Sequence, residues 1–142
     1  CQLIRKATYG GSFGRTVRFL DRGLVPGTPL DYFDRWSLHN KLFGAITKVS
    51  GILETADSDI SILIHQEPLI GELPDERQIA DFMKLYEFSP LPGKRFAWLG
   101  RSLKVAIFDA RPANFVLVDG MPIPFDLITL PISQVSGLPL SK

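Results

Sequence analysis

The 142-residue sequence has a single cysteine, Cys1, so a disulfide within the chain and a cysteine-built metal site are both excluded. No apolar run approaches the roughly 20 residues that span a bilayer. The first residues also lack the apolar stretch of a signal peptide. Charge of one sign is not in excess, because the net charge is only +1. The sequence therefore indicates no membrane partner and gives no strong nucleic-acid signal.

What the chain does have is a hydrophobic content of 45%, enough for one globular domain with a real core. We expect this single domain to cover residues 1–142, since no composition shift or linker divides them. The sequence does not begin with methionine. Three expectations remain open for that start: a fragment, a processed product, or a protein with a disordered first segment.

Apolar spacing and turn residues predict an α+β fold with a small antiparallel sheet at the start and a reduced helical part after it. Thr28-Pro29 is typical of a helix start, and we expect that helix to end near Gly44. A second helix is expected to open at Pro74. Predicted strands cover residues 1–8, 46–54, 60–66, 103–108 and a hairpin at 115–118 and 123–128. From Pro131 onward we expect irregular structure.

Residues 109–126 are the most informative stretch of the chain. Asn114 follows Asp109 by five positions, and Asp126 follows a dozen further on. Phosphoryl-transfer enzymes use Asp, Asn and Asp in this order as a base and two metal ligands. Carboxylate and amide oxygens suit magnesium, which keeps several waters. The order predicts that Asp109 accepts or orients the attacking hydroxyl and that Asn114 and Asp126 bind magnesium, held side by side by the hairpin between them.

Each of these residues taken alone is more often structural than catalytic, since Asp and Asn commonly make local hydrogen bonds in loops. The joint pattern favours function. For His39 and His65 we expect local hydrogen bonds rather than catalysis. Gly10-Gly11-Ser12-Phe13-Gly14 lacks the Lys-Ser/Thr ending of a phosphate loop.

Several segments carry a resemblance to a known family. Residues 107–118 and Pro124-Phe125-Asp126 resemble the catalytic and metal-binding loops of the protein-kinase-like superfamily. More narrowly, the chain resembles the serine/threonine/tyrosine-type kinase domain of phage and mobile-element polyvalent proteins. The supporting segments are Tyr32-Phe33-Asp34-Arg35, His39-Asn40-x-x-Phe43-Gly44, residues 66–72 and Asp109-Ala-Arg-Pro-x-Asn-Phe115. The resemblance covers residues 6–128.

This resemblance implies an ATP site with magnesium. Lys6 would contact the α- and β-phosphates, and Asp31 or Asp34 would be its acidic partner. For Lys6, a solvated terminal lysine is an equal alternative. Adenine would lie against a hinge that begins at Gln66, Glu67 and Pro68.

The resemblance also implies a division into an N-lobe-like part at residues 1–65, a hinge at 66–71 and a reduced C-lobe-like part at 72–142. With the missing export signals, it implies the cytoplasm of a bacterial host. The partners would be a nucleotide and a phosphate acceptor of unknown identity, with a protein among the candidates.

The sequence departs from the family pattern at three places. Only five residues precede Lys6, so the glycine-rich hairpin is missing, and Phe108 replaces the usual Arg or His before the catalytic Asp. Few residues follow Asp126, where the family has a helical lobe. Three functions remain open: an ATP-dependent phosphotransferase, a catalytically inactive kinase-like interaction module, and a structural α+β domain of a phage or mobile-element protein.

Overall fold

The computed structural model describes residues 4–44 and 46–139. The first three residues of the first predicted strand, with Cys1 among them, lie outside the described residues. So do the last three residues of the predicted irregular end. The fold is α+β, with two α-helices and several small antiparallel sheets, which confirms the predicted class. The chain divides into two compact units. Within the described residues, unit 1 comprises 4–18, 22–44 and 46–68, and unit 2 comprises 19–21 and 69–139.

Unit 1 combines one helix with a three-stranded antiparallel sheet in the order β1-β5-β4 and a separate two-stranded pair, β2-β3. Its elements are β1 Ile4–Ala7, β2 Arg15–Val17, β3 Leu24–Pro26, α1 Pro29–Phe43, β4 Thr47–Glu54 and β5 Ile60–Gln66. Helix α1 and strands β4 and β5 lie where the sequence predicts them.

Helix α1 begins with a reciprocal capping box. The Asp31 N–H donates to Thr28 Oγ1 at 3.2 Å, and the Thr28 N–H donates to Asp31 Oδ2 at 2.7 Å. These two bonds satisfy donors that no helical carbonyl can reach. Gly44 ends the helix, as predicted, and its N–H donates to the Asn40 carbonyl.

The core of unit 1 lies between helix α1 and strand β5. Ile62 and Ile64 alternate along β5, so they share one sheet face, and they pack against Tyr32 and Trp36 of the helix. Burying an isoleucine side chain of this kind stabilises a fold by about 2 kcal/mol. The sheet face that carries Ile64 is therefore the face toward α1.

Unit 2 combines one helix, a four-stranded antiparallel sheet in the order β11-β8-β7-β6, and the hairpin β9-β10. Its elements are α2 Glu76–Leu85, β6 Ser89–Pro90, β7 Trp98–Gly100, β8 Val105–Phe108, β9 Phe115–Val118, β10 Met121–Pro124 and β11 Ile128–Pro131. Short 3-10 helices occupy Leu20–Arg22, Pro112–Asn114 and Ile132–Gln134. The part predicted to be helical is thus built mainly on strands.

The end of unit 2 corrects the sequence prediction. A strand was expected at residues 123–128, but β10 ends at Pro124, and a separate strand, β11, begins at Ile128. Residues 125–127 instead carry the chain from the hairpin to the edge of the sheet that contains β8. Strand β11 pairs with β8, which lies far from it in sequence. Short periodic patterns do not reveal such a pairing.

Strand β8 is central in its sheet, and all four of its side chains are buried. Asp109 follows it directly. Ile128 lies opposite Phe108 in the β8-β11 pair, so the chain returns after the hairpin to the same end of the sheet. No helix in the described parts of the chain is long and apolar enough to cross a membrane.

Candidate functional site

Asp109 lies at the end of β8 with a left-handed backbone, at φ 59°. Asp tolerates this conformation better than most residues, but it still costs free energy that neighbouring contacts must offset. The next residue, Ala110, donates its N–H to the carbonyl of Phe96 at 2.9 Å. Phe96 is also left-handed, at φ 60°. Two strained residues therefore meet at this point, and no sequence signal marked Phe96.

Asn114 holds Asp109 in place. It ends the 3-10 helix Pro112–Asn114 and is only 5% exposed. Its amide Nδ2 donates to the Asp109 carbonyl at 2.7 Å and to the Asp109 carboxylate Oδ2 at 3.1 Å. Both bonds use the amide nitrogen, which orients the carbonyl oxygen Oδ1 as the atom of Asn114 that a metal ion could use.

The hairpin brings Asp126 back to the same region. The Phe125 N–H donates to the Asn114 carbonyl at 3.1 Å, so Asp126 lies one residue beyond the partner of Asn114. It also lies two residues before Ile128, the partner of Phe108. The structure therefore brings together the three residues that the sequence assigned to one site. Asp126 is half-buried.

Arg111 is a member of this cluster to which the sequence gave no role. Its Nε lies 3.2 Å from Asp109 Oδ1, in an ion pair whose side chains are 54% and 27% exposed. The Asp-x-Arg spacing was the signal that could have found it. Together with Asn114, it leaves each carboxylate oxygen of Asp109 with one partner.

Helix α2 packs against the hairpin β9-β10. Asp75 caps the helix by accepting from the Gln78 N–H at 2.7 Å, and the Gln78 side chain accepts from the Asp75 N–H at 2.9 Å. Phe82 of the helix then packs edge-on against Phe115, with ring centroids 6.1 Å apart. Phe115 follows Asn114 directly, so this contact holds the backbone next to Asn114.

Lys6 belongs to unit 1. It lies opposite Ile64 in the β1-β5 pair, so its side chain leaves the sheet on the face toward α1. The side chain is exposed. A lysine assigned to phosphate contact and an acidic partner on the helix would have to share this face.

The two candidate acidic partners on α1 differ in their surroundings. Asp31 Oδ2 accepts from Arg18 Nη2 at 2.5 Å as well as from the Thr28 backbone. Desolvation acts to raise the pKa of Asp31, but the hydrogen bonds from Thr28 and the Arg18 charge outweigh it and lower the pKa below its ordinary value. Helix capping and Arg18 therefore account for Asp31 without a lysine. Asp34 is exposed.

The three residues expected to begin the hinge, Gln66, Glu67 and Pro68, have few hydrogen-bond donors left for a ligand. Gln66 is buried, and its Nε2 donates to Thr47 Oγ1 at 2.9 Å. The Glu67 N–H donates to the Ile46 carbonyl at 3.1 Å, and Pro68 has no N–H. Neither Glu67 nor Pro68 can therefore donate a backbone N–H to an adenine ring. The boundary between the two units falls at Pro68, inside residues 66–71.

The expectation of local hydrogen bonds was wrong for His39. Within the described residues, neither of its ring nitrogens has a hydrogen-bond partner, and His65 Nε2 has none either. His39 is fully buried. Burial lowers the pKa of His39 from 6.5 to about 4, and the Arg35 charge acts in the same direction. The ring is a neutral core side chain.

Among the residues that the structure describes, no group of three or more His, Cys, Asp and Glu side chains could hold a metal ion. Magnesium needs less than such a group, because it is commonly bound by one or two carboxylates together with waters and substrate phosphates. Asn114 Oδ1 and the Asp126 carboxylate fit that smaller ligand set. Each would supply an oxygen from the same end of unit 2.

Comparisons of the chain with protein-family models, with curated proteins and with solved structures found no match.

Proposed function

We propose that this chain is a kinase-like, ATP-dependent phosphotransferase with its chemistry at Asp109, Asn114 and Asp126. The observation that carries the proposal is the meeting of these residues at one end of the sheet in unit 2. Phosphoryl transfer requires mainly a positioned nucleophile and neutralised phosphate charge. Asp109 would orient the acceptor hydroxyl, and Asn114 with Asp126 would hold magnesium, which neutralises charge on the phosphates.

The backbone at Asp109 supports this role. An observed left-handed residue is a reason to suspect function, because strain persists where surrounding contacts over-determine it. The Asn114 amide bonds both the carbonyl and the carboxylate of Asp109, so the carboxylate is held in one direction. Arg111 adds an exposed positive charge beside it that attracts an anionic phosphate.

Lys6, which the resemblance assigns to the ATP phosphates, lies in unit 1, and the proposal rests on unit 2 alone. Its side chain leaves β1 on the face toward α1, as a lysine that pairs with an acidic helix residue must. Neither candidate on α1 is well placed for that pairing. Arg18 and Thr28 already hold Asp31. Asp34 lies two residues from both Tyr32 and Trp36, so it projects from the helix face opposite to the one that packs on the sheet.

A second candidate is a kinase-like module that does not catalyse transfer. One observation favours it: each carboxylate oxygen of Asp109 already has a protein partner, so an acceptor hydroxyl would have to compete with Arg111 or Asn114 for it. The engaged Glu67 N–H points the same way, because it weakens adenine recognition at the hinge. In this case the protein binds a partner through its surface and turns over no ATP.

The test is magnesium-dependent ATP binding by calorimetry, followed by ATP turnover. We expect Asp126→Asn to weaken Mg-ATP binding by at least about tenfold, since a charged metal ligand is lost. Asp119→Asn is the matched control, because Asp119 lies at the tip of the same hairpin and is exposed. It should leave binding unchanged.

The second measurement separates the two candidates. Asp109→Asn should keep the fold, since Asn also tolerates a left-handed backbone, and should keep Mg-ATP binding while turnover falls by about 100-fold or more. Binding without turnover in the unaltered chain would select the inactive module. Absence of Mg-ATP binding at millimolar concentration would reject the phosphotransferase.

A further inference from the structure

A concave site lies in unit 2, at the end of strand β8 away from Asp109. Its volume is about 560 Å³, within the range of small-molecule pockets. The two ends are fixed by the sheet register: Val105 pairs with Gly100 and Pro131 beside the cavity, whereas Phe108 lies beside Asp109. The length of β8, at about 3.3 Å per residue, separates the cavity from the candidate catalytic cluster.

The walls of this cavity are mainly apolar. Leu99 comes from β7, Pro131 from β11, and Ile132 and Leu138 from the chain that follows. Of these, Leu99 and Leu138 are buried side chains that the fold itself holds in place. A ligand with an apolar body would gain free energy by covering these walls, in proportion to the area removed from water.

The polar side chains among the described lining residues of the cavity are two cations on one turn and the hydroxyl of Ser133. Arg101 and Lys104 both line it, and the described lining residues include no Asp or Glu. Arg101 Nη1 donates to the Pro139 carbonyl at 2.9 Å, which uses one of its five N–H groups. The remaining donors and the Lys104 ammonium are complementary to an anion.

The turn that carries these cations is itself held in place. The Lys104 N–H donates to the Arg101 carbonyl at 3.2 Å, and the Lys104 carbonyl accepts from the Ile132 N–H at 2.9 Å. Lys104 adopts a left-handed backbone, at φ 58°, which a lysine rarely does. These backbone contacts therefore hold Arg101 and Lys104 beside the same cavity.

We propose that this cavity, lined by Arg101 and Lys104, binds a small ligand with an anionic head and an apolar body. The head is a carboxylate or a phosphate, which share the same recognition by a guanidinium and an ammonium. The site is independent of phosphoryl transfer, because none of its lining residues belongs to the Asp109 cluster.

The test titrates the full chain with octanoate, octyl phosphate and the neutral octan-1-ol by calorimetry. We expect saturable binding of at least one anionic probe, and weaker binding of octan-1-ol by about tenfold or more. The anionic probe that binds more tightly identifies the head group. Equal affinity for octan-1-ol would overturn the proposal, as would no binding of either anion at millimolar concentration.

Variants of the lining residues complete the test. Lys104→Gln and Arg101→Gln should each weaken binding of the anion by about fivefold to tenfold, and the double variant should abolish it. Lys94→Gln is the matched control, an exposed lysine of the same unit that does not line the cavity. Asp109→Asn should also leave the affinity unchanged. Equal weakening by Lys94→Gln would show a general charge effect and reject the site.

Discussion

Asn114 in unit 2 and His39 in unit 1 are both buried polar side chains, with exposed fractions of 5% and 0%. The Asn114 amide makes two hydrogen bonds to Asp109, whereas the described residues supply no partner to either ring nitrogen of His39. A buried polar group with partners specifies a local structure, but one without partners costs the full desolvation free energy. The first therefore fixes the loop at Asp109, and the second is a weak point of the core of unit 1.

The surroundings of His39 show why it is tolerated. Its ring centroid lies 5.5 Å from that of Trp36 and 5.3 Å from that of Phe43, so it packs as one of a row of aromatic rings along α1. A neutral imidazole fits such a row, and the lowering of its pKa to about 4 keeps it neutral at pH 7.

The chain contains two tryptophans, and each unit has one buried copy: Trp36 in unit 1 and Trp98 in unit 2. Replacing Trp98 by Phe leaves fluorescence that reports unit 1 alone, and Trp36→Phe leaves a report of unit 2. Unfolding in urea can then be followed for each unit separately. The predictions below use these two backgrounds.

The largest expected effect is the pH response of unit 1. The unfolded chain binds a proton at His39 below pH 6.5, but the folded chain does so only near pH 4. Stability is therefore complete above pH 6.5 and declines as the pH falls toward 4, by a total of about 3 kcal/mol from this group. Urea unfolding of the Trp98→Phe background at pH 7, 5.5 and 4.5 measures it.

The control for this prediction separates His39 from the other groups that titrate in acid. His39→Leu should remove the response, whereas His65→Gln, which replaces the only other histidine, should keep it. If unit 1 of the His39→Leu variant loses as much stability between pH 7 and 4.5 as the parent, His39 does not cause the response.

Asn114→Ala should have the next largest effect. It leaves the Asp109 carbonyl without its amide donor and opens a small cavity, so unit 2 should lose about 2 kcal/mol. Urea unfolding of the Trp36→Phe background measures the loss. Ser102→Ala is the control, because that hydroxyl bonds Glu87 at the surface and its loss should cost under about 0.5 kcal/mol. Equal losses in both variants would show that the buried hydrogen bonds of Asn114 stabilise unit 2 no more than a surface hydrogen bond does. The contrast between a partnered Asn114 and an unpartnered His39 would then fail.

Two neighbours on helix α1 should change stability in opposite directions at pH 7. His39→Leu removes two unpartnered nitrogens and should stabilise unit 1 by about 1 kcal/mol. Asn40→Ala should destabilise it by about 1 kcal/mol, since Asn40 Nδ2 donates to the Thr47 carbonyl at 2.6 Å and its Oδ1 accepts from the Thr47 N–H. Destabilisation by His39→Leu would show that packing of the ring outweighs its missing hydrogen bonds.

The smallest effect concerns partnered groups near the surface. Asp31→Asn weakens the ion pair with Arg18 and the helix start, and should cost about 0.5 kcal/mol, since the two side chains are 17% and 46% exposed. Because its pKa is lowered, the contribution of Asp31 is present at neutral pH and is lost as the pH falls through the folded-state pKa. Glu76→Gln, in the more exposed pair with Arg95, should produce no measurable change in unit 2.

Local signals in the sequence predicted the α+β class and both helix starts. Thr28 and Asp75 are capping residues whose hydrogen bonds lie within four positions, so the sequence carries their whole cause. Strand β11 and the pairing of Ile128 with Phe108 depend on contacts between distant segments, which short patterns do not encode. The kinase-like fold stays a proposal.

The site shows the same division between local and distant causes. The Asp-x-x-x-x-Asn spacing predicted that Asp109 and Asn114 act together, and the structure adds how they are joined. Arg111 was visible in the motif but had no role until its distance to Asp109 was known. The unpartnered nitrogens of His39 had no signal, because hydrophobic spacing identifies a buried position and says nothing about hydrogen bonds there.

Gly71 has a consequence for tracing this protein's ancestry. A Cβ at this position would lie 1.9 Å from the carbonyl oxygen of Leu117, while the neighbouring Glu72 carbonyl accepts the Leu117 N–H at 2.7 Å. No side chain fits there unless the backbone of β9 moves. In relatives of this chain, position 71 should therefore be an invariant glycine, and it offers a fixed point from which their sequences can be aligned.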